Sequence, residues 1–101
     1  MMHRLSPMFE ARTIAVVGAS ARPGSFGERL ARATVSAGFQ GRISFINPKG
    51  GTIMDREALP SIRDLDHAPD LAVLGIGGAN LERGLIDAIG KGARSAVIFD
   101  S

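Results

Sequence analysis

The sequence predicts an α/β fold, a three-layer sandwich on a small, mainly parallel sheet. Residues 13–17 are a continuous β-branched and apolar run and residues 71–76 a further apolar one, the pattern of strands buried on both faces, and residues 43–46 and 95–99 read as two more strands. Helical patterns separate the first strand from the second and the third from the last, as parallel pairing requires. Glycine-rich stretches stand where the first and third strands give way to those helices.

Residues 1–12 have no clear period and read as a lead-in with one short helical turn at residues 7–10. The first strand, residues 13–17, is closed by Gly18. Ser25 followed by Glu28 has the spacing of a capping box, so the first helix starts at about Phe26. Phe26, Leu30, Ala33 and Ala37 share one face of it, Arg29 and Arg32 fall outside that face, and Gly38 is a natural stop. The small residues Ala31, Ala33 and Ala37 would let this helix lie close to a sheet. Residues 39–41 turn the chain into the second strand, which ends in Asn47-Pro48-Lys49-Gly50-Gly51.

Residues 52–65 are the least regular part. Residues 52–54 read as a short extended piece and residues 60–62 as a turn with one buried apolar side chain, followed by a helical turn at residues 64–67 that Pro69 stops. The third strand, residues 71–76, runs into Gly77-Gly78-Ala79. Asn80 is placed to cap the second helix, whose stripe is Leu81, Leu85, Ala88 and Ile89 and whose end is Gly90 or Gly92. Residues 95–99 form the last strand.

Length and composition narrow the function. The 101 residues suffice for one domain and a single core, and 45% hydrophobic with 22% charged residues is an ordinary globular balance. There is no cysteine, and His3 and His67 are the only histidines, so neither a thiolate site nor a histidine metal site is expected. No run approaches the ~20 apolar residues of a membrane helix, and no secretory signal precedes Arg12, so the expected compartment is cytoplasmic. Charge is uneven: residues 1–50 carry seven Lys/Arg against two Glu, and residues 51–101 five against eight acids. The basic part holds the first glycine loop, which suits a phosphate-bearing ligand. Nucleic acid is not expected, because the aromatics are all Phe and no dense basic cluster interleaves with them.

In a doubly wound sheet, ligands gather beyond the carboxyl ends of the strands. That places residues 18–27, 47–51 and 77–80, with Asp100 and Ser101, along one edge. Gly18-Ala19-Ser20-Ala21-Arg22-Pro23-Gly24-Ser25-Phe26-Gly27 reads as a phosphate cradle, with hydroxyls, a cation and a helix start. The bland alternative is a strand-to-helix turn using glycine for positive φ. Ser20 stands where a GxGxxG fingerprint needs glycine, and Phe26-Gly27 where a Walker A loop needs Lys-Ser or Lys-Thr. An NAD site would carry an acid after the second strand, and this chain has Asn47-Pro48-Lys49. A lysine there attracts phosphate, which leaves NADP or a ribose-3′-phosphate ligand such as coenzyme A. His67 and the scattered acids Asp55, Glu57, Asp64, Asp66 and Asp70 read as surface, and no nucleophile–base pair stands out.

The residues also carry a family resemblance. Ile14-Ala15-Val16-Val17-Gly18-Ala19-Ser20, Arg22-Pro23-Gly24-Ser25-Phe26-Gly27, Gly38-Phe39-Gln40-Gly41, Ile46-Asn47-Pro48-Lys49, Leu59-Pro60-Ser61-Ile62 and Pro69-Asp70-Leu71-Ala72-Val73 occur in that order. Together they resemble the N-terminal CoA-binding domain of NDP-forming acyl-CoA synthetases, a domain similar to the succinyl-CoA synthetase alpha subunit and to the front of some bacterial protein lysine acetyltransferases. The resemblance implies a Rossmann-like domain that holds CoA or acyl-CoA, with the glycine loop around its phosphates and Lys49 near them. It further implies that the loop at Gly77 and Gly78 helps enclose the adenine end. The family's phosphorylated histidine and its second nucleotide-binding domain lie in later segments. On this resemblance the chain is a single non-catalytic domain from the front of a larger ligase, whose catalytic domains or subunits are its partners. The alternatives are an NADP-binding half of a reductase and an interaction module without a ligand. Exposed sheet edges make a homodimer a further expectation.

Overall fold

The computed structural model describes residues 11–99. The turn expected at residues 7–10 and the loop at Asp100 and Ser101 lie outside that range. Strands β1 (Thr13–Val17), β2 (Arg42–Ile46), β5 (Leu71–Leu74) and β6 (Ser95–Ile98) form one sheet in the order β2-β1-β5-β6, every pair parallel. Helices α1 (Phe26–Ser36) and α2 (Ala79–Lys91) complete the two crossovers. The expected α/β sandwich is therefore present, and the winding reverses between β1 and β5. A two-stranded antiparallel hairpin, β3 (Thr52–Ile53) and β4 (Arg56–Glu57), stands apart from the main sheet.

Strand alternation sorts the core into two layers. Ile14, Val16, Phe45, Leu71 and Val73 face α1 and pack with Leu30 and Ala31. Ala15, Ile46, Ala72 and Leu74 face the other way and pack with Ala88 of α2. Ala15 and Ala72 pack in one cluster with Ala88 of α2, and a Cβ on the buried Gly84 would lie 2.5 Å from Ile76, so small inner residues let α2 approach closely.

Several local expectations shift. The buried face of α1 is Gly27, Leu30, Ala31 and Thr34, while Ala33 and Ala37 are exposed. Thr34 tolerates burial because its hydroxyl donates to the Leu30 carbonyl at 2.8 Å. In α2, Leu81, Leu85 and Ala88 pack as expected, but Ile89 is 66% exposed. The N-cap of α2 is Gly78, at φ 60°, with no side-chain cap bond; Asn80 already lies inside the helix. Gly92 in the left-handed conformation ends α2. β5 stops at Leu74, short of the expected Ile76.

The irregular stretch is a short return structure along the outer side of β2. Met54 and Asp55 turn the β3–β4 hairpin with φ of 49° and 65°, and Ile53 sinks into the core facing α1. Leu59 then bridges Ile46 in parallel, donating to the Phe45 carbonyl at 2.9 Å. The helical turn is 3-10 and spans Ile62–Asp64 in place of residues 64–67. Ser61 starts it with a reciprocal capping box to Asp64, two residues before the expected turn. Lys91 of α2 donates to the carbonyls of Arg63 and Leu65 and fixes this segment against α2. Among the described residues, no helix is long and apolar enough to cross a membrane.

Gly27 decides how closely α1 joins β1. A Cβ there would lie 2.3 Å from the Gly18 carbonyl oxygen and 2.9 Å from Ser20 Cβ, contacts with atoms that cannot rotate away. Gly90 is the contrasting case, with open space around the same hypothetical atom. Gly27→Ala should therefore lower unfolding stability by ~1–3 kcal/mol through overpacking, whereas Gly90→Ala should raise it by ~0.5–1 kcal/mol through helix propensity. Urea unfolding of the two variants checks the pair, and equal shifts of one sign would contradict the close approach.

Candidate functional site

The site grows from the reversal point between β1 and β5. Gly75 N–H donates to the Val17 carbonyl at 2.8 Å, and Gly18 N–H donates to the Ile46 carbonyl at 3.2 Å, so the loop after β1 is tied at its start to both neighbouring strands. Gly18 has φ 95°, and a Cβ on it would meet the Gly75 oxygen at 2.5 Å. Ala19 is fully buried and anchors the loop from below.

The rest of the loop is held by its own polar groups. Ser20 Oγ accepts from Arg22 N–H at 3.0 Å. Ser25, the N-cap of α1, accepts from Glu28 N–H at 3.1 Å and donates its hydroxyl proton to the Arg22 carbonyl at 2.7 Å. The Ser25 hydroxyl is thus engaged on both sides, while the Ser20 hydroxyl keeps a proton to donate. Glu28 closes the capping arrangement one residue earlier than expected, by accepting from Gly24 N–H at 3.2 Å. Arg29 donates to the Gly24 carbonyl at 2.9 Å. Among the described residues, the N–H groups of Phe26 and Gly27 have no acceptor, which leaves two donors at the positive end of α1.

The end of β2 faces this loop. Asn47 reaches back to it, its side-chain amide donating to the Ala19 carbonyl at 2.9 Å and its Oδ1 accepting from Lys49 N–H at 2.8 Å. Lys49 and Arg22 are exposed and make no ion pair among the described residues. Gly18, Ser20, Arg22, Ser25, Phe26, Gly27, Asn47, Pro48, Lys49 and Gly77 line one open cavity of about 530 Å³. Ala19, Pro23, Gly24 and Gly78, expected at the site, do not line it. Gly75 and Ile76, which the sequence reading did not single out, do.

A second cavity of about 460 Å³ shares Gly18, Pro48 and Ile76 with the first and continues between the 3-10 turn and α2. Its walls include Ile46, Ile62, Arg63, Asn80, Arg83 and Asp87, with Arg63 and Asp87 paired at 2.9 Å. One side of this cavity, Pro60 to Arg63, comes from the irregular stretch 52–65, where the Ser61–Asp64 capping spacing was the available signal, and the facing side comes from α2. Another hollow, of about 420 Å³, lies at the opposite end of the strands beside Ala11 and Gly41, away from the glycine loop. His67 lines none of the three cavities; its Nδ1 lies 2.6 Å from Asp66. The described residues contain no group of three or more His, Cys, Asp or Glu that could hold a metal ion.

A profile of the family described as CoA binding domain matches residues 12–101. The chain is 29% identical over 97 residues to the ADP-forming acetate–CoA ligase II of Archaeoglobus fulgidus, covering 96% of this chain and 14% of that protein. It is 28% identical over 101 residues to the alpha subunit of ADP-forming acetate–CoA ligase I from Pyrococcus furiosus, covering 96% of this chain and 22% of the subunit. Among solved structures, the dinucleotide-forming acetyl-coenzyme A synthetase 1 of Ca. Korarchaeum cryptofilum, in complex with phosphate and ADP, superposes with a TM-score of 0.86 at 31% identity. That match covers 96% of this chain and 21% of the other. The chain thus spans about a fifth or less of the length of these larger relatives.

The Arg32 guanidinium, bonded to Glu28 at 2.6 Å, and then Gly24 N–H hold the Glu28 carboxyl below its ordinary value of 4.5. A depressed carboxylate contributes stability that is present above its ordinary range and lost as pH falls through the lowered value. The Glu28 carboxyl should accordingly titrate below 4.5 by NMR, with the Gly24 amide shift following the same midpoint. A midpoint at or above 4.5 would show that the loop closure is not maintained in solution.

Proposed function

The chain belongs to the CoA-binding domain family, and on that premise we propose that its glycine loop and Lys49 hold the phosphates of coenzyme A or an acyl-CoA. The observation that carries this reading is the first cavity. It brings the two free N–H groups of Phe26 and Gly27 together with Arg22, Lys49 and the Ser20 hydroxyl, and places no carboxylate in its lining. Backbone donors at a helix start and unpaired cations are what a pyrophosphate and a ribose phosphate need. The second cavity opens from the first with a mixed apolar and polar wall and is the place for the adenosine end, beside the loop at Gly77 and Gly78.

The residues of this chain bind and orient; the reaction belongs to other parts of a larger assembly. We assign the chain as the nucleotide-binding portion of an ADP-forming acyl-CoA synthetase, in keeping with the fraction of its relatives that it spans. With CoA anchored by its phosphates, the flexible pantetheine arm is free to carry its thiol to a catalytic domain. Any self-association would run through the outer edge of β6, which has no partner strand among the described residues and carries the exposed Ile98.

Isothermal titration with CoA, NADP and ADP tests the assignment. Saturable CoA binding, weakened about tenfold or more in Lys49→Ala as expected for loss of a charge-assisted contact, is the predicted result. NADP binding without CoA binding would point to a reductase half-domain, and no binding at all to an interaction module. Either outcome overturns the proposal.

A further inference from the structure

We propose that Asn47 is a specificity-determining positioning residue: its side-chain amide is a strut that sets the spacing between the glycine loop and the Lys49 turn. It thereby favours ligands that carry phosphates for both places over a plain nucleoside diphosphate. The inference rests on the CoA reading for its ligand, but its structural basis is independent of it.

Asn47 stands at the end of β2, and all four of its polar groups are engaged. Its backbone N–H donates to the Leu59 carbonyl at 2.9 Å and its carbonyl accepts from Gly50 N–H at 2.8 Å, which fixes the residue in the turn. Its side chain then ties the Lys49 turn to a segment 28 residues before Asn47, donating to the Ala19 carbonyl at 2.9 Å and accepting from Lys49 N–H at 2.8 Å. These two partners determine the amide orientation, because a carbonyl can only accept and an N–H can only donate. The Ala19 end is buried, so an acceptor left without a donor there would be costly.

The two tied segments are those that offer the phosphate donors. Ala19 precedes the loop that leads to the free N–H groups of Phe26 and Gly27, and Lys49 carries the cation of the opposite wall. A ligand whose phosphates form one diphosphate group, as in ADP, engages one wall and is indifferent to their separation. A ligand with a pyrophosphate and a further ribose phosphate engages both, and gains from having the separation set before it binds. Neither alanine nor aspartate can replace the strut. Alanine removes both bonds. Aspartate keeps the bond from Lys49 N–H but sets a carboxylate against the Ala19 carbonyl until it is protonated.

The test is isothermal titration of CoA and ADP into wild type, N47A and N47D, with urea unfolding of each as a check on the fold. N47A should lose about tenfold in CoA affinity, the worth of one or two hydrogen bonds, and less than about threefold in ADP affinity. N47D should show the same loss at pH 7.5. Relative to wild type at each pH, that deficit should narrow toward pH 5 as the carboxyl regains a proton to donate. Equal losses for CoA and ADP, or no loss for CoA, overturn the strut, and should N47A fail to fold, N47D at the two pH values decides alone. If wild type binds neither ligand, the CoA reading fails, and amide exchange decides the strut without ligand. Faster exchange across residues 18–25 in N47A or N47D supports it, and unchanged exchange overturns it.

Discussion

The contact on which the site depends is the approach of the Gly18 carbonyl to the first turn of α1, allowed because Gly27 has no side chain. A Cβ at position 27 would have to move either the helix or the end of β1. With it absent, the helix starts directly over the reversal point of the sheet, and its first residues, Phe26 and Gly27, line the cavity shared with β2 and β5. The other features serve this placement. The Ser25 cap and Glu28 fix where the helix begins, and Arg29 draws Gly24 against it. Gly18 and Gly75 pin the loop to the strands on either side.

Much of the fold could be read from the residues because a parallel strand covered on both faces leaves a continuous apolar run. Residues 13–17 are such a run, and β1 lies there; residues 43–46, interrupted by Ser44, still read as a strand, and β2 lies there. The errors have a common physical cause, which is that local pattern is blind to what an element packs against. Thr34 is polar yet buried, through a bond to its own helix, so the inner face of α1 could not be found from apolar spacing alone. Ile89 is apolar yet exposed, because Gly84 and Ala88 turn a narrower strip of α2 toward the sheet. Asn80 is a good cap residue, but Gly78 reaches a backbone conformation that closes the turn sooner.

The same limit governs the site. Ser20, Arg22 and Lys49 could be recognised as phosphate-compatible residues from their types and their loops, and the structure gathers them in one cavity. What the sequence could not give is which polar groups are already engaged. The Glu28 bond of Ser25 was legible as a cap, but the donation of its hydroxyl proton to the Arg22 carbonyl was not, and Asn47 looks like a ligand donor but holds Ala19 and Lys49. The Asn47–Ala19 bond depends on the parallel register of β1 against β2, which joins residues far apart in the chain. The second cavity was hidden for a related reason, since one of its walls is a 3-10 turn set in place by Lys91 and by the Arg63–Asp87 pair.

The central claim is that one ligand, bound by its phosphates, spans the glycine loop and the Lys49 turn at once. Titration of CoA into the isotopically labelled protein, followed by amide chemical shifts, tests it most directly. Coincident, saturable shifts are expected at Gly18, Phe26, Gly27, Lys49 and Gly77, the largest at the two amides of the helix start, with residues 37–41 at the far end of the strands unmoved. Saturable shifts confined to that far end, or to the outer edge of β6, would contradict it.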